Sequence, residues 1–359
     1  MKLERQFGFW IAAFVVFVGF LLVFRQILLP FVAGMALAYA LDPVADWFER
    51  RGFSRLAATL TILVLFVVVL VVVTVLIAPI LANQLAEFIA RVPVYVEKLQ
   101  GLFTSFLDSG VSRYFGFDST TIRGSLSGLM SQGAVWLTAL LTSLWNGGRA
   151  LLTVLSLFVV TPVVAFYLLY DWDRMVARVD ALLPRDYAPE IRRLAGEIDV
   201  TIAAFVRGQL LVCVILGAFY ATGLVLVGLN FGFLIGLVAG LLSFIPYVGF
   251  SVGFIVSIGV ALVQFLPGWL SIGATIAVFI LGQFLEGYVL QPRLIGERVG
   301  LHPVWLLFAL FAFGLLFGFV GLMIAIPAAA AVGVLVRDGI RRYLASPIYR
   351  GKPRPPAPP

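Results

Sequence analysis

Charged residues are scarce in this sequence. Asp, Glu, Lys and Arg together make up 12% of the 359 residues, against roughly 25% in an average soluble domain. Hydrophobic residues make up 62%. A soluble fold of this composition could not offer water a polar exterior, whereas lipid accepts an apolar surface. The shortage of charge therefore excludes an ordinary soluble fold and predicts spans of about 20 apolar residues each.

Cysteine and histidine each occur once, as Cys213 and His302. A single cysteine cannot form an intramolecular disulfide, and the pair is too small for a His/Cys metal site. The formal net charge is +7, but the basic residues lie between apolar runs, where membrane topology explains them better than nucleic-acid binding. We expect no metal, no cofactor and no nucleic-acid partner.

The apolar runs predict an all-α polytopic integral membrane protein, because lipid leaves the backbone of an open strand without partners. The clear runs cover residues 7–24, 27–41, 56–80, 150–170, 209–229 and 269–285. The first resembles a signal peptide but is longer than usual and is followed at once by another, so we expect a retained span. Asp42, followed by Pro43, is expected to end the second run.

Two longer runs, residues 231–266 and 303–336, complete a set of about eight membrane segments. Each is too long for one ordinary span and is interrupted by glycine or proline. If both are tilted single spans, the chain has eight spans. If both are re-entrant hairpins, it has six spans and two hairpins. The distribution of basic residues between the two sides of the membrane is compatible with both schemes.

The connectors are expected to carry amphipathic helices. Apolar residues recur at helical spacing in residues 81–149 and 171–207. We expect one membrane domain over residues 1–348, with 81–149 extracytoplasmic and 171–207 cytoplasmic, and a disordered proline-rich tail over 349–359. Placing the N-terminus in the cytoplasm puts 17 basic residues inside and six outside, so both termini are predicted to be cytoplasmic.

The interrupted runs are candidates for a solute path, because a broken membrane helix leaves backbone N–H and C=O groups available to a ligand. The candidate residues are Pro246, Gly249 and Gly253 in the first run, and Gly318, Gly321 and Pro327 in the second. Close helix packing through glycine is the alternative.

Four polar residues near apolar runs are further candidates. Glu286, beside Gln283, could bind a cation or carry a proton; alternatively it is an interfacial acid paired with Arg293 or another base. Arg207, which precedes Gln209, could meet an anionic solute or pair with Glu286, or it could be an interfacial anchor.

One pattern is typical of an enzyme. The segment Gly249-Phe250-Ser251-Val252-Gly253 fits G-x-S-x-G, but this motif needs a strand–turn–helix context and a histidine partner. An intramembrane serine hydrolase is therefore a remote alternative, and we expect no enzyme. A membrane scaffold that holds partners through its amphipathic connectors is the nearer alternative.

Seven short segments follow one another between about residue 28 and about residue 336. They are Leu28-Leu29-Pro30-Phe31 with Ala40-Leu41-Asp42-Pro43, Phe166-Tyr167-Leu168-Leu169-Tyr170-Asp171, Arg207-Gly208-Gln209, Phe244-Ile245-Pro246-Tyr247-Val248-Gly249, Glu286-Gly287-Tyr288-Val289-Leu290-Gln291-Pro292-Arg293, Gly300-Leu301-His302-Pro303, and Phe317-Gly318-Phe319-Val320-Gly321 with Ala325-Ile326-Pro327. In this order they resemble the autoinducer-2 exporter family of bacterial permease-like membrane proteins. One departure is that Phe250 and Ser251 follow Gly249, where the family often has proline.

The resemblance implies a bacterial inner-membrane protein with about eight membrane segments, cytoplasmic termini and a homo-oligomeric assembly, for which a pentamer is one expectation. Family members are associated with export of a signalling furanone and with sodium/proton exchange. We therefore expect a secondary exporter of a small solute or signalling molecule, coupled to H⁺ or Na⁺, since no segment resembles an ATP-binding site. The two breaks are expected to meet near the membrane centre, with Glu286 within reach.

Overall fold

The computed structural model describes residues 3–106, 148–296 and 302–350, together with the single residues 128, 132, 133, 135 and 139. Within these residues all regular structure is helical. The helices are α1 Leu3–Val23, α2 Leu28–Glu49, α3 Arg55–Phe106, α4 Gly148–Ala181, α5 Ala188–Val227, α6 Gly232–Leu242, α7 Val248–Phe265, α8 Trp269–Phe284, α9 Pro303–Phe317, α10 Phe319–Ala345 and α11 Pro347–Arg350. A 3₁₀ turn, Arg25–Ile27, precedes α2, and a π-helical segment, Leu285–Ile295, continues α8.

Seven helices of the described residues are long and apolar enough to cross a membrane. They are α2, α3, α4, α5, α7, α8 with the π-helical segment, and α10. Helices α6 and α9 are apolar but shorter. Large hydrophobic side chains remain exposed along these helices, as expected of a surface that lipid covers. The all-α polytopic membrane fold predicted from the runs is confirmed.

The amphipathic stretches continue the membrane helices. Helix α3 has 52 residues, a length of about 78 Å at 1.5 Å per residue, so it extends well beyond a hydrocarbon core of about 30 Å. It has no break near residue 81, where the sequence analysis separates two helices. The stretch 171–207 likewise belongs to the end of α4 and the beginning of α5. Most of 107–147 and all of 351–359 lie outside the described residues.

Helix α2 does not end at Asp42, contrary to the expectation from the Asp-Pro pair; it continues through Pro43 to Glu49. Proline cannot donate to the carbonyl four residues earlier, which is that of Tyr39. Arg207 supplies the missing donor, because its Nε donates to the Tyr39 carbonyl oxygen at 2.7 Å. A side chain from α5 thus replaces the helical hydrogen bond that Pro43 cannot make.

Arg55 fixes the turn between α2 and α3. Its guanidinium contacts three carboxylates on one face of α2, from Asp42 at 3.0 Å, Asp46 at 3.0 Å and Glu49 at 3.2 Å. Its Nε also donates to the carbonyl of Leu169 on α4 at 2.8 Å. One partly buried cation therefore holds three helices in register.

The chain divides into two compact units. The first unit comprises Met1–Leu60, Val160–Gln209 and Arg293–Pro359, and the second comprises Thr61–Val159 and Leu210–Pro292. In the first unit, ion pairs join the start of α5 to the end of α10 through Arg193–Asp338 and Arg342–Glu190. In the second unit, α5 and α6 touch through glycine, because a Cβ on Gly240 would lie 2.1 Å from the Gly217 Cα.

Candidate functional site

The run over residues 231–266 is a helical hairpin, α6–α7, rather than one tilted span. Helix α6 has 11 residues, about 17 Å, too short to cross a hydrocarbon core of about 30 Å. A Cβ on Gly253 would lie 2.5 Å from the Ala239 Cβ. These two positions are equally distant from Pro246, so the helices pack antiparallel on either side of it.

The turn of this hairpin is strained at one position. Tyr247 has φ 66° and ψ −25°, a left-handed conformation that a non-glycine residue seldom adopts. Gly249 then lies so close to the end of α6 that a Cβ would be 2.4 Å from the Ser243 amide nitrogen. Tyr247 makes no side-chain hydrogen bond to the first turn of α7, so the N–H groups of that turn are not capped by it.

The run over residues 303–336 is a second helical hairpin, α9–α10, broken at Gly318. This residue has φ 63° and ψ −136°, a conformation that glycine adopts without steric cost. A Cβ on Gly321 would lie 1.8 Å from the Phe313 carbonyl oxygen, so the two helices are in backbone contact. Pro327, a predicted break, lies inside α10.

The two breaks found therefore match the two predicted from sequence, and each run folds into two packed helices. The choice between re-entrant hairpins and full spans stays a prediction, because α7 and α10 are themselves long enough to span a membrane. The glycines serve close packing, and their place in a solute path stays a prediction. The two turns belong to different compact units, and their meeting near the membrane centre stays a prediction.

An apolar pocket of about 130 Å³ lies beside the first hairpin in the second unit. Its walls come from α3, α6 and α7, and include Leu85, Phe88, Leu234, Val252, Gly253 and Val256. Gly253, a candidate path residue, therefore borders open space that carries almost no polar surface.

Glu286 is buried, with 7% of its surface exposed. It lies at the start of the π-helical segment, a geometry that is rare and frequent at functional sites. Its Oε1 accepts a hydrogen bond from Gln291 Nε2 at 3.2 Å. Gln283, by contrast, is exposed. Glu286 is thus buried and hydrogen-bonded to a neutral amide, and the choice between a path residue and an interfacial acid paired with a base stays a prediction.

Tyr220, on α5, packs against the same helix. It is fully buried and stacks on Phe279 at a centroid distance of 4.9 Å. A Cβ on Gly282 would lie 2.6 Å from the tyrosine oxygen, so only glycine admits the ring there. The hydroxyl has no hydrogen-bond partner among the described residues, and it interacts electrostatically with Glu286. Tyr220 and Glu286 thus form a buried polar centre inside the second unit.

Arg207 and Gln209 belong to the first unit. Arg207 bonds the Tyr39 carbonyl, and Gln209 is buried. Between them, Gly208 packs on the end of the π-helical segment, since a Cβ there would lie 2.7 Å from the Leu294 carbonyl oxygen. Arg207 is thus a structural partner of α2 rather than a surface anchor.

A polar cavity of about 60 Å³ lies between α2, α4 and α5 in the first unit. Its lining includes Tyr39, Asp42, Trp172, Asp199 and Arg207. The Tyr39 hydroxyl donates to Asp199 Oδ1 at 2.9 Å, and the Tyr39 and Trp172 rings meet edge to face at 6.2 Å.

Sequence reasoning found Arg207 and Glu286 but missed Tyr39, Trp172, Asp199 and Tyr220. Tyr39 and Tyr220 lie inside apolar runs, where a tyrosine is an ordinary occupant. The hydrogen bond that gives Tyr39 its role joins residues 160 positions apart. No local pattern carries that information.

The enzyme-like motif lacks the structural context that it needs. Ser251 lies inside α7, not on a turn between a strand and a helix. His302 acts as the N-cap of α9, where its Nδ1 accepts from the Val304 amide at 3.3 Å. Within the described residues, no group of three or more His, Cys, Asp or Glu could hold a metal ion.

Long apolar helices define an integral membrane protein, and broken helices of this kind are a feature that many transporters share. A family model described as AI-2E family transporter matches residues 11–341. The chain belongs to this family.

The curated relatives agree with the family match. The chain is 28% identical over 336 residues to YrrI of Bacillus subtilis (strain 168), covering 90% of this chain and 89% of the relative. It is 30% identical over 338 residues to PerM of Escherichia coli (strain K12), covering 89% of each. YrrI is described as a transport protein and PerM as a permease. A membrane transporter role follows.

Proposed function

We propose that this protein is a secondary exporter of a small solute or signalling molecule, and that Glu286 is the carboxyl group that couples export to a proton gradient. The proposal rests on the Glu286–Tyr220 centre. A carboxyl buried inside an apolar span is costly and is retained there chiefly for a function. This one has a neutral amide donor and a nearby hydroxyl as its polar surroundings.

The choice of proton over Na⁺ rests on the ligands around Glu286. Hard cations such as Ca²⁺ and Mg²⁺ bind through six or more oxygens, and we extend this preference to Na⁺. Gln291 turns its N–H group, not its carbonyl, toward the carboxylate. A proton needs only one carboxylate oxygen.

The hairpin turns are the proposed contacts for the solute. The N-cap residues of α7 and α10 make no side-chain hydrogen bond to their helices. The first N–H groups of a helix are unsatisfied within it and carry a partial positive charge. We infer that each of these helix starts, taken within its own unit, can receive an electron-rich group, with Pro246 and Gly249 shaping the first turn and Gly318 and Gly321 the second.

We further propose that the protein is a homo-oligomer in the bacterial inner membrane with both termini in the cytoplasm. The excess of basic residues on that side supports the orientation. Large exposed hydrophobic surfaces, such as those of α3 and α9, are available to lipid and to further copies of the chain.

Glu286→Gln tests the coupling. In proteoliposomes that hold a pH-sensitive dye, proton flux driven by an imposed pH or Na⁺ gradient should fall roughly tenfold or more, because an amide cannot exchange the proton. Glu87→Gln is the matched control, since Glu87 is exposed and pairs with Arg91 on the same helix. Undiminished flux in Glu286→Gln would remove this carboxyl from the mechanism. Absence of flux from a folded wild-type protein under every gradient would favour the scaffold alternative.

Tyr220→Phe should separate stability from activity. Removing a buried hydroxyl without a partner should raise the free energy of unfolding by about 1–3 kcal/mol, measured as a higher melting temperature in detergent. Proton flux should fall, because Glu286 loses its nearby hydroxyl. Tyr288→Phe is the control, since Tyr288 is 75% exposed. A stabilised variant with unchanged flux would show that Tyr220 has no part in coupling.

A further inference from the structure

The polar cavity between α2, α4 and α5 takes no part in the coupling proposed above. It has room for several water-sized groups at about 60 Å³. Asp199 on its rim is exposed, so the cavity is open to solutes. It also lies near the charged end of α2, where Arg55 meets three carboxylates.

The charges that face this cavity are of both signs. Asp42 in the lining pairs at 3.0 Å with Arg55, a guanidinium that it shares with Asp46 and Glu49. Asp199 and Arg207 add one negative and one positive group to the lining. A ligand with a single charge would meet repulsion from one of them.

Tyr39 separates these two groups. Its hydroxyl donates to Asp199, while its main-chain carbonyl accepts from Arg207 Nε. Because that bond uses Nε, the terminal NH₂ groups of Arg207 can present parallel N–H donors to a carboxylate. At the other end, a ligand ammonium could reach Asp199 and the Tyr39 and Trp172 rings, which attract cations.

We propose that this cavity binds a small zwitterion, with its carboxylate on Arg207, its ammonium on Asp199 and its methylene groups against the Tyr39 and Trp172 rings. The site lies wholly in the first unit and does not depend on Glu286. Glu286→Gln should therefore bind the zwitterion as the wild type does.

The binding test uses the full-length protein in detergent and its thermal unfolding. The probes are 4-aminobutyrate and its isomer 2-aminobutyrate, compared with butyrate and butylamine, which each carry one of the two charges. At least one isomer should stabilise the protein with an apparent affinity roughly tenfold or more above either single-charge analogue. The preferred isomer reports the separation of the two charges. No stabilisation by either isomer, or equal stabilisation by butylamine, overturns the proposal.

Two variants check that the cavity is responsible. Asp199→Asn should lose the stabilisation, and so should Arg207→Met made together with Pro43→Ala, which returns an N–H donor to the Tyr39 carbonyl. Asp173→Asn is the control, because Asp173 is an exposed residue next to Trp172 that does not line the cavity. Unchanged binding by Asp199→Asn overturns the proposal.

Discussion

Gly321→Ala should destabilise the protein by about 2 kcal/mol or more. The added methyl would lie 1.8 Å from the Phe313 carbonyl oxygen, so the α9–α10 hairpin must open to admit it. Overpacking of a tight contact costs about 1–3 kcal/mol or more, which exceeds the gain of about 1 kcal/mol that alanine brings to a helix interior. The midpoint of unfolding in mixed detergent micelles measures the difference.

Gly339→Ala provides the matched comparison on the same helix. A Cβ at Gly339 meets no atom within 4 Å among the described residues. The only expected effect is therefore the higher helix propensity of alanine. This variant should be as stable as the wild type or up to about 1 kcal/mol more stable. If the two alanine variants unfold at the same midpoint, the backbone contact in the hairpin is not present in the native protein.

Arg207→Met should destabilise the protein by about 1–3 kcal/mol, because the main-chain carbonyl of Tyr39 loses its hydrogen bond. Pro43 cannot donate to Tyr39, so loss of the Arg207 Nε donor leaves that carbonyl without its hydrogen bond. Loss of a partly buried hydrogen bond carries a cost toward the lower end of this range. The guanidinium also lies close enough to interact with Asp42, so the single variant alone does not isolate the carbonyl.

A double-mutant cycle isolates it. Pro43→Ala supplies the missing helical N–H, so Arg207→Met should cost clearly less in that background, with a coupling of roughly 1 kcal/mol. Asp42→Asn repeated in both backgrounds measures the electrostatic part separately. Equal costs of Arg207→Met with and without Pro43 would show that Arg207 does not repair the helix.

The sequence predicted the helical membrane fold and both interruptions, because each rests on a local physical requirement. A run of apolar residues without water must satisfy its own backbone, and a helix is the single-chain way to do so. Gly318, and the segment around Pro246 and Tyr247, are places where the helical hydrogen-bond ladder stops. The composition also indicated Glu286, since an acid beside an apolar run is unusual wherever it lies.

The same local reasoning was misleading at Pro43, where the helix continues. A proline costs a helix less when another donor satisfies the carbonyl that the proline leaves without a hydrogen bond. Here that donor is Arg207, 168 residues from Tyr39 in the chain. The boundaries of α3, α4 and α5 differ from the predicted ones for a related reason, since amphipathic and apolar stretches have the same backbone geometry.

Composition and hydropathy by themselves determined that the chain is a polytopic helical membrane protein and where two of its helices break. Tertiary structure alone decided that the two helices at each break pack against each other, that the buried Tyr220 hydroxyl has no hydrogen-bond partner among the described residues, and that Tyr39 joins Asp199 to Arg207 around a cavity. The reason is that burial and backbone satisfaction follow from neighbouring residues, whereas the partner of a polar side chain depends on which distant helices pack together.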